Sequence, residues 1–294
     1  MKTILLLGGN GQVGWQLRRS LSIMGQVSAP RIDLRDRAAL AEIVTSLRPA
    51  IVVNAAAYTA VDRAEDEPEA AYAVNARACE TLAAETRRAA TWLVHYSSDY
   101  VYDGAGERPW VETDVTEPLG VYGKSKLEGD IAVATNPRHL IFRTSWVFDT
   151  WGQNFAKSIL KAAATREQLT VVNDQWGAPT RAALIADVTA YALGQLTDDK
   201  AGMYHVAAAG VTNWNEYAKL VIQVALNSGK TLRVRPEQVL SIPSSGYPTR
   251  ARRPSNSRLD TGKLRKTFGL HLPPWEHGVR EVVSELAEHS KNLH

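Results

Sequence analysis

Gly8-Gly9-Asn10-Gly11-Gln12-Val13-Gly14 follows the apolar run Ile4-Leu5-Leu6-Leu7 and leads into Trp15-Gln16-Leu17-Arg18-Arg19. Glycine at positions 8, 11 and 14 gives, in turn, a tight reversal, a bare stretch of backbone and a close helix-on-strand contact. A helix beginning there points unpaired N–H groups and the positive end of its dipole toward an incoming phosphate. The spacing counts for little by itself; its place between a strand and a helix makes it informative. Working outward, residues 4–7, 51–54, 92–97 and 139–144 read as strands, and residues 17–24, 70–86 and 126–134 as helices. The strand candidates are nearly continuous in hydrophobicity, as strands buried on both faces are.

Strand and helix in alternation predict an α/β fold, a Rossmann-type doubly wound parallel sheet. From Val171 onward the texture changes, with Gly, Pro and aromatic residues dense in residues 173–180 and 241–248. These read as ordered loops of a smaller C-terminal lobe that faces the substrate. The expected division is residues 1–165 for the dinucleotide-binding domain and 166–294 mainly for the lobe, with return crossings to the first domain allowed. The ending, residues 278–294, reads as an amphipathic helix that frays.

Composition fits a soluble globular protein. Of 294 residues, 45% are hydrophobic and 22% charged, and the net charge is +3. Both fractions are near the averages for globular domains. The densest basic stretch, residues 250–258, is short and contains Pro254, which suits a phosphorylated small molecule and not a nucleic-acid duplex. A single cysteine, Cys79, leaves no internal disulfide and no cysteine metal cluster. The N-terminal apolar run stops at Gly8 and is too short for a signal peptide, and no stretch is long enough to span a bilayer. The expected location is the cytoplasm.

The cofactor wall is expected to comprise Gly8, Asn10, Gly11, Gln12, Val13 and Gly14, then Arg31, Asp33 and Leu34 after the second strand. Asp33 is placed for the adenine end, whereas Arg31 could meet a 2′-phosphate, so NADP(H) is favoured over NAD(H). The end of the third strand, Asn54-Ala55-Ala56-Ala57-Tyr58-Thr59, carries small residues that let a ribose approach the backbone. Tyr96, Tyr122 and Lys126 complete the list.

Tyr122 and Lys126 form a Y-x-x-x-K pair that shares one helix face. An ammonium beside a phenol favours the phenolate, so Lys126 is expected to lower the Tyr122 pKa. A phenol so tuned can protonate a carbonyl oxygen as hydride arrives. Tyr96-Ser97-Ser98-Asp99-Tyr100-Val101-Tyr102, after the strand at 92–97, adds Ser98 as a second hydroxyl for the same oxygen.

At this point the chain resembles the extended short-chain dehydrogenase/reductase superfamily, and within it the dTDP-4-dehydrorhamnose reductases. The resemblance covers nearly the whole chain. Besides the glycine loop it rests on residues 54–62, 95–101, 121–128, 143–147, 173–180 (Asn-Asp-Gln-Trp-Gly-Ala-Pro-Thr) and 251–259 (Ala-Arg-Arg-Pro-Ser-Asn-Ser-Arg-Leu). It implies reduction of the C4 ketone of dTDP-4-dehydro-L-rhamnose by NADPH or NADH, with Tyr122 as acid, Lys126 as its partner, and Ser98 where relatives often have threonine. It further implies that Ser98, Asp99 and Trp146 contact the sugar nucleotide, with Asn154, Gln175, Arg252 and Arg253 as nucleotide or phosphate contacts. Some relatives use acidic residues for a magnesium bridge between subunits. Gln16 and residues 180–184 supply no acid at the matching places, so no metal site is expected. The partner expected is a nucleotide sugar, with neither nucleic acid nor membrane, and the protein is a monomer or homodimer.

A dehydratase or epimerase would share fold, loop and Tyr/Lys pair. Dehydratases need a further acid and base after the hydroxyl residue, and Asp99 is followed by Tyr100. Epimerases generally lack the segments at 175–180 and 251–259. A non-catalytic NADP-binding regulatory subunit is the alternative from another class, and retention of Ser98, Tyr122 and Lys126 argues against it.

Overall fold

The computed structural model describes residues 2–291, so the last three positions of the expected C-terminal helix, 292–294, lie outside the described residues. The chain begins as the sequence predicts: β1 (Thr3–Leu7), the glycine loop, α1 (Gln12–Ser22), β2 (Gln26–Ser28), α2 (Arg37–Leu47) and β3 (Ile51–Asn54). Two short helices, α3 (Val61–Ala64) and α4 (Pro68–Tyr72), precede α5 (Ala78–Arg88) and β4 (Trp92–Ser98). After a long loop come α6 (Val121–Ala134), β5 (His139–Thr144), β6 (Val147–Phe148), α7 (Phe155–Thr165), β7 (Leu169–Val172), β8 (Trp176–Gly177) and β9 (Thr180–Arg181). The remainder is α8 (Ala182–Leu193), β10 (Gly202–Val206), β11 (Thr212–Asn213), α9 (Trp214–Asn227), β12 (Val239–Ile242), α10 (Gly262–Phe268) and α11 (Trp275–Lys291).

The main sheet has six strands in the order β10-β5-β4-β3-β1-β2, and its pairings are parallel. Alternate residues of each strand feed opposite cores. Ile4 and Leu6 join Val53, Val94 and Phe142 under α1 and α8, while Leu5 and Leu7 join Val52, Leu93 and Ile141 under α2, α5 and α6. That two-sided burial explains the unbroken hydrophobic runs. A third core, built on Ile159, Tyr217, Val221, Val239 and Val283, belongs to the smaller lobe of α7, α9, α11, β7 and β12. Because β1 is flanked by β2 and β3, the connections leave it in opposite directions. The carboxyl ends of β1 and β3 therefore diverge into a crevice, which is where ligands bind in open α/β sheets.

The helix expected at 70–86 is interrupted by a π-turn at Ala73–Arg77. Asn75 within it is buried, and its side chain accepts from the Tyr58 backbone N–H at 2.9 Å and donates to the Tyr58 carbonyl at 3.1 Å and to Ser125 Oγ at 3.0 Å. The bulge trades one regular helical bond pattern for an amide that ties the loop after β3 to α6. Such bulges concentrate at functional sites.

Candidate active site

Gly8 has φ +75° and lies so close to Ala55 and Ala56 that a Cβ there would meet Ala56 N at 2.4 Å. A Cβ on Gly14 would meet the Gly8 carbonyl oxygen at 2.0 Å. These two glycines are therefore demanded by backbone packing. Gly11 is different, since its imagined Cβ meets nothing nearer than 3.4 Å. It stands at the N-cap of α1, where no side chain accepts from the helix, and the terminal N–H groups face an open cleft. A cap without a side-chain acceptor, beside a bare glycine, fits a dinucleotide pyrophosphate.

That cleft, of about 370 Å³, is lined by Gly8, Gly11, Arg18, Arg31, Asp33 and Ala56, among others. Arg31 and Asp33 thus lie on the rim of one cleft, and Leu34 is buried beside them. Asp33 accepts twice from Arg35 Nε and once from Nη2, at 2.6 to 3.0 Å, and this fork holds its carboxyl down at about 2. The sequence reading had not foreseen that Asp33 is already paired. At the end of β3, Tyr58 sends its hydroxyl to Glu67 at 2.7 Å. Gln12 and Asn154, expected on different ligands, are bonded to each other at 3.0 Å, and Asn154 also caps α7 by accepting from the Lys157 N–H.

On the other side of the crevice, β4 ends at Ser98 and α6 carries Tyr122 and Lys126. Gly120 caps α6 in extended conformation, and Glu65 accepts from the Val121 N–H at 2.9 Å. Gly123 lets α6 close on the Tyr100 carbonyl, which a Cβ would meet at 2.2 Å. Ser98 Oγ donates to Asp99 Oδ1 at 3.0 Å and accepts from the Tyr100 N–H at 3.2 Å. The Tyr100 ring stands edge-on to Tyr122, centroids 5.4 Å apart. Its hydroxyl accepts from Arg253 at 3.0 Å, so residue 100 supplies no carboxylate.

The electrostatics differ from expectation in one respect. Lys126 does not lower the Tyr122 pKa. Burial pushes that phenol above its ordinary range, the nearby Ser98 hydroxyl opposes the rise, and the charges of Asp99 and Asp130 add to it. The lysine is spent elsewhere: its Nζ donates to the Tyr96 carbonyl at 2.6 Å and lies 3.2 Å from His95 Nε2. Tyr122 is consequently held protonated, the state from which an acid acts. Asp99 is 2% exposed, and burial pushes its carboxyl up to about 6, with Ser257 and Ser98 partly offsetting the rise. Its Oδ2 has no hydrogen-bond partner.

A second cavity, of about 480 Å³, runs from Tyr100 and Arg253 to Phe155, Arg166, Gln175 and Trp214. Gln175 is fixed from both ends, donating to Ser244 Oγ at 2.9 Å and accepting from Trp214 Nε1 at 3.0 Å. Trp146 stacks on Trp214 with centroids 3.7 Å apart and has φ +50°, a left-handed conformation that tryptophan rarely adopts. Arg253 bridges this cavity to the first domain through Asp62 at 2.6 Å, whereas Arg252 is exposed and does not line the cavity. Apolar walls, aromatic faces and two guanidinium groups suit a nucleoside diphosphate. Sequence reasoning missed Phe155, Arg166 and Trp214 here, because helix aromatics read as ordinary core and an exposed arginine as solvated surface. It also missed Asn75, His95 and Asp130. Only the last left a signal, the spacing 122, 126, 130 along one helix face.

Around Arg181 the carboxylates of Glu281 and Glu285 lie at 2.6 and 2.7 Å and that of Asp149 at 3.7 Å, so a guanidinium sits at their centre. No helix among the described residues is long and apolar enough to cross a membrane.

The model of the RmlD substrate binding domain family matches residues 1–288. A dTDP-4-dehydrorhamnose reductase of Salmonella typhimurium is 48% identical over 293 residues, 96% of this chain and 97% of that protein. One from Escherichia coli K12 is 47% identical with the same coverage. Among solved structures, the dTDP-4-dehydrorhamnose reductase of Bacillus anthracis in complex with NADP superposes with a TM-score of 0.89 at 31% identity, covering 97% of this chain and all of that one (100%).

Proposed function

The chain belongs to the RmlD substrate binding domain family, and from that premise we propose that it reduces the C4 ketone of dTDP-4-dehydro-L-rhamnose to dTDP-L-rhamnose with a reduced nicotinamide cofactor, NADPH in preference to NADH. The observation that carries the proposal is a set of three features at the carboxyl-end side of the main sheet. An uncapped, glycine-bared helix N-terminus stands on one side, a protonated Tyr122 beside Ser98 on the other, and an aromatic cavity with Arg166 and Arg253 beyond them.

When bound, the dinucleotide supplies the hydride that the ketone carbon accepts. The glycine loop and the α1 N-terminus hold its pyrophosphate, and the Ala55–Ala57 stretch leaves room for ribose. Tyr122 offers its O–H to the ketone oxygen, and Ser98 adds a second once its hydroxyl turns from Asp99, which polarises the carbonyl before hydride arrives. As charge gathers on that oxygen, Tyr122 gives up its proton, because an alkoxide is a stronger base than a phenolate. The C=O π bond becomes a C–O single bond, the carbon gains hydrogen, the oxygen gains the phenolic proton, and the phenolate is reprotonated from solvent. Lys126, anchored on the Tyr96 carbonyl and against His95, can bond the cofactor ribose. Trp146, Asp99, Gln175 and Arg253 orient the sugar nucleotide. Tyr100 supplies no second carboxylate for dehydration.

The test is to incubate purified protein with NADPH and dTDP-4-dehydrorhamnose and follow the absorbance of the reduced cofactor. Steady oxidation is expected, and Tyr122→Phe should bind NADPH normally yet lose about 10²- to 10⁴-fold in kcat. Cofactor binding without oxidation of NADPH by this ketone would favour a non-catalytic binding subunit.

A further inference from the structure

Behind Tyr122 a buried polar seam runs into the first domain, and the reaction as described leaves most of it unused. Lys126 is 1% exposed. Its ammonium lies against the Tyr96 carbonyl and His95 Nε2. His95, on β4, is wholly buried, and its Nε2 is 3.9 Å from Asp130 Oδ1. Asp130 stands one turn of α6 beyond Lys126, on the same face. Its Oδ2 accepts from Arg143 Nε at 3.0 Å, while its Oδ1 has no hydrogen-bond partner. Arg143, on β5, is itself anchored by donating to the Tyr102 hydroxyl at 2.9 Å.

An ammonium taken out of water is costly, and without a counter-charge it sheds its proton. The titratable groups facing this one can be counted off by element. From α5, Cys79 is kept a thiol, because burial pushes it up to about 12. From β4, His95 is kept neutral, held well below its ordinary range by burial first and by the Lys126 charge second. From β5, Arg143 adds positive charge. On α6 itself Tyr122 is a neutral phenol. Asp130 is the remaining candidate anion: burial works first against the ammonium and the Asp130 field favours it, while burial also pushes the Asp130 carboxyl up, with the charges of Arg143 and Lys126 opposing that rise.

We propose that His95 and Asp130 are positioning residues for Lys126: the imidazole accepts from the ammonium and fixes its direction, and the carboxylate, engaged by Arg143 through one oxygen, turns the other toward the Lys126–His95 pair as counter-charge. With Nε2 as acceptor the ring proton lies on Nδ1, whose neighbours are Asn54 Nδ2 at 3.3 Å and Cys79 Sγ at 3.8 Å, so this tautomer requires the Asn54 amide to turn its oxygen toward the ring. Neither residue touches substrate; both act through the lysine. The turnover readout rests on the reductase reading above, whereas the binding readout does not.

The experiment uses the full-length protein and the variants Asp130→Asn, Asp130→Glu, His95→Leu and His95→Gln. NADPH affinity is measured by tryptophan fluorescence from pH 6 to 10, and kcat and KM for the ketone over the same range. In Asp130→Asn the lysine should lose its proton sooner. The alkaline limb of both NADPH affinity and kcat is then expected to move about one pH unit toward acid, tenfold in the proton equilibrium, with KM for the ketone changed less than about twofold. Asp130→Glu should restore the limb. His95→Leu should cost about tenfold in kcat with the limb in place, and His95→Gln, whose amide oxygen is again an acceptor, should recover most of it. An unmoved limb in a folded Asp130→Asn variant would overturn the proposal. If that variant gives no cooperative melt, the decision passes to the His95 pair, where wild-type kcat in His95→Leu would do the same. If the wild-type protein oxidises no NADPH with the ketone, the reductase reading fails, and the NADPH-affinity limb still decides the role of Asp130.

Discussion

Substituting alanine at two glycines of the same loop should have opposite consequences. At Gly8 the backbone has φ +75°, and the new Cβ would lie 2.4 Å from Ala56 N and 2.6 Å from Ala55 C, both backbone atoms that cannot swing away. The left-handed conformation alone costs an L-residue about 1–2 kcal/mol. Relieving the overlap by moving β3 away from β1 adds about 1–3 kcal/mol, by analogy with overpacked cores. The total, about 2–5 kcal/mol, is a large part of the roughly 5–15 kcal/mol that holds a typical domain folded. At Gly11 the backbone has φ −74°, and the Cβ reaches only to 3.4 Å from the Gly8 oxygen. There the lost N-cap preference, about 0.5–1 kcal/mol, is offset by the reduced freedom of the unfolded chain, about 0.4–1 kcal/mol. Stability should stay within about 0.5 kcal/mol of wild type. The methyl nevertheless occupies the face that the pyrophosphate must approach, so NADPH affinity should fall about tenfold or more, 1.4 kcal/mol per decade. Urea unfolding followed by tryptophan fluorescence measures the first quantity, and NADPH titration the second. A Gly8→Ala variant losing less than about 1 kcal/mol, or a Gly11→Ala variant that binds NADPH like wild type, would refute the division of labour.

Arg31→Ala should raise KM for NADPH about tenfold and leave KM for NADH within about twofold, since only the former carries the 2′-phosphate; equal effects on both would remove Arg31 as the discriminator. Asp99 carries a folded-state pKa raised from 3.8 to about 6, so the folded protein holds a proton that the unfolded chain releases, and stability falls as pH rises through that window. Asp99→Asn should therefore gain about 3 kcal/mol at pH 8 and only about 0.5 kcal/mol at pH 4, which chemical denaturation at the two pH values will show. Trp214→Ala removes the face stacked at 3.7 Å on Trp146 and the donor to Gln175. KM for the nucleotide sugar should rise about tenfold or more while NADPH affinity is unchanged, and a KM within twofold of wild type would take the base-binding role away from this cavity.

Much of the fold was legible because its determinants are local. Glycine spacing, unbroken apolar runs and the change of texture after Val171 each depend on neighbours in sequence, and so do the start of α1 and the shared face of Tyr122 and Lys126. What could not be read were the long-range pairings. Even the local pairing of Asp33 with Arg35, two residues on, depends on how the loop after β2 turns. Nothing near Lys126 says that the Tyr96 carbonyl and His95, about thirty residues away, will claim its ammonium in place of Tyr122. The expected drop in the Tyr122 pKa failed for that reason: spacing on a helix gives proximity, while burial and partners decide charge. Asn75 shows the same limit, because its value lies in the Tyr58 backbone and Ser125, and neither is near it in sequence.

The sixth strand of the main sheet comes from far down the chain. β5 is joined on one side by β4 and on the other by β10, residues 202–206, and α8 brings Ile185, Ala186 and Val188 to cover Leu6, Val53 and Phe142. During synthesis on the ribosome, a nascent polypeptide that has emerged only to residue 165 thus carries an apolar sheet face that α1 covers only in part and an unpaired edge, the features that make strands stick to other molecules. Release of that fragment should yield aggregate, and supplying residues 166–294 in trans should recover soluble material only when both pieces are made together.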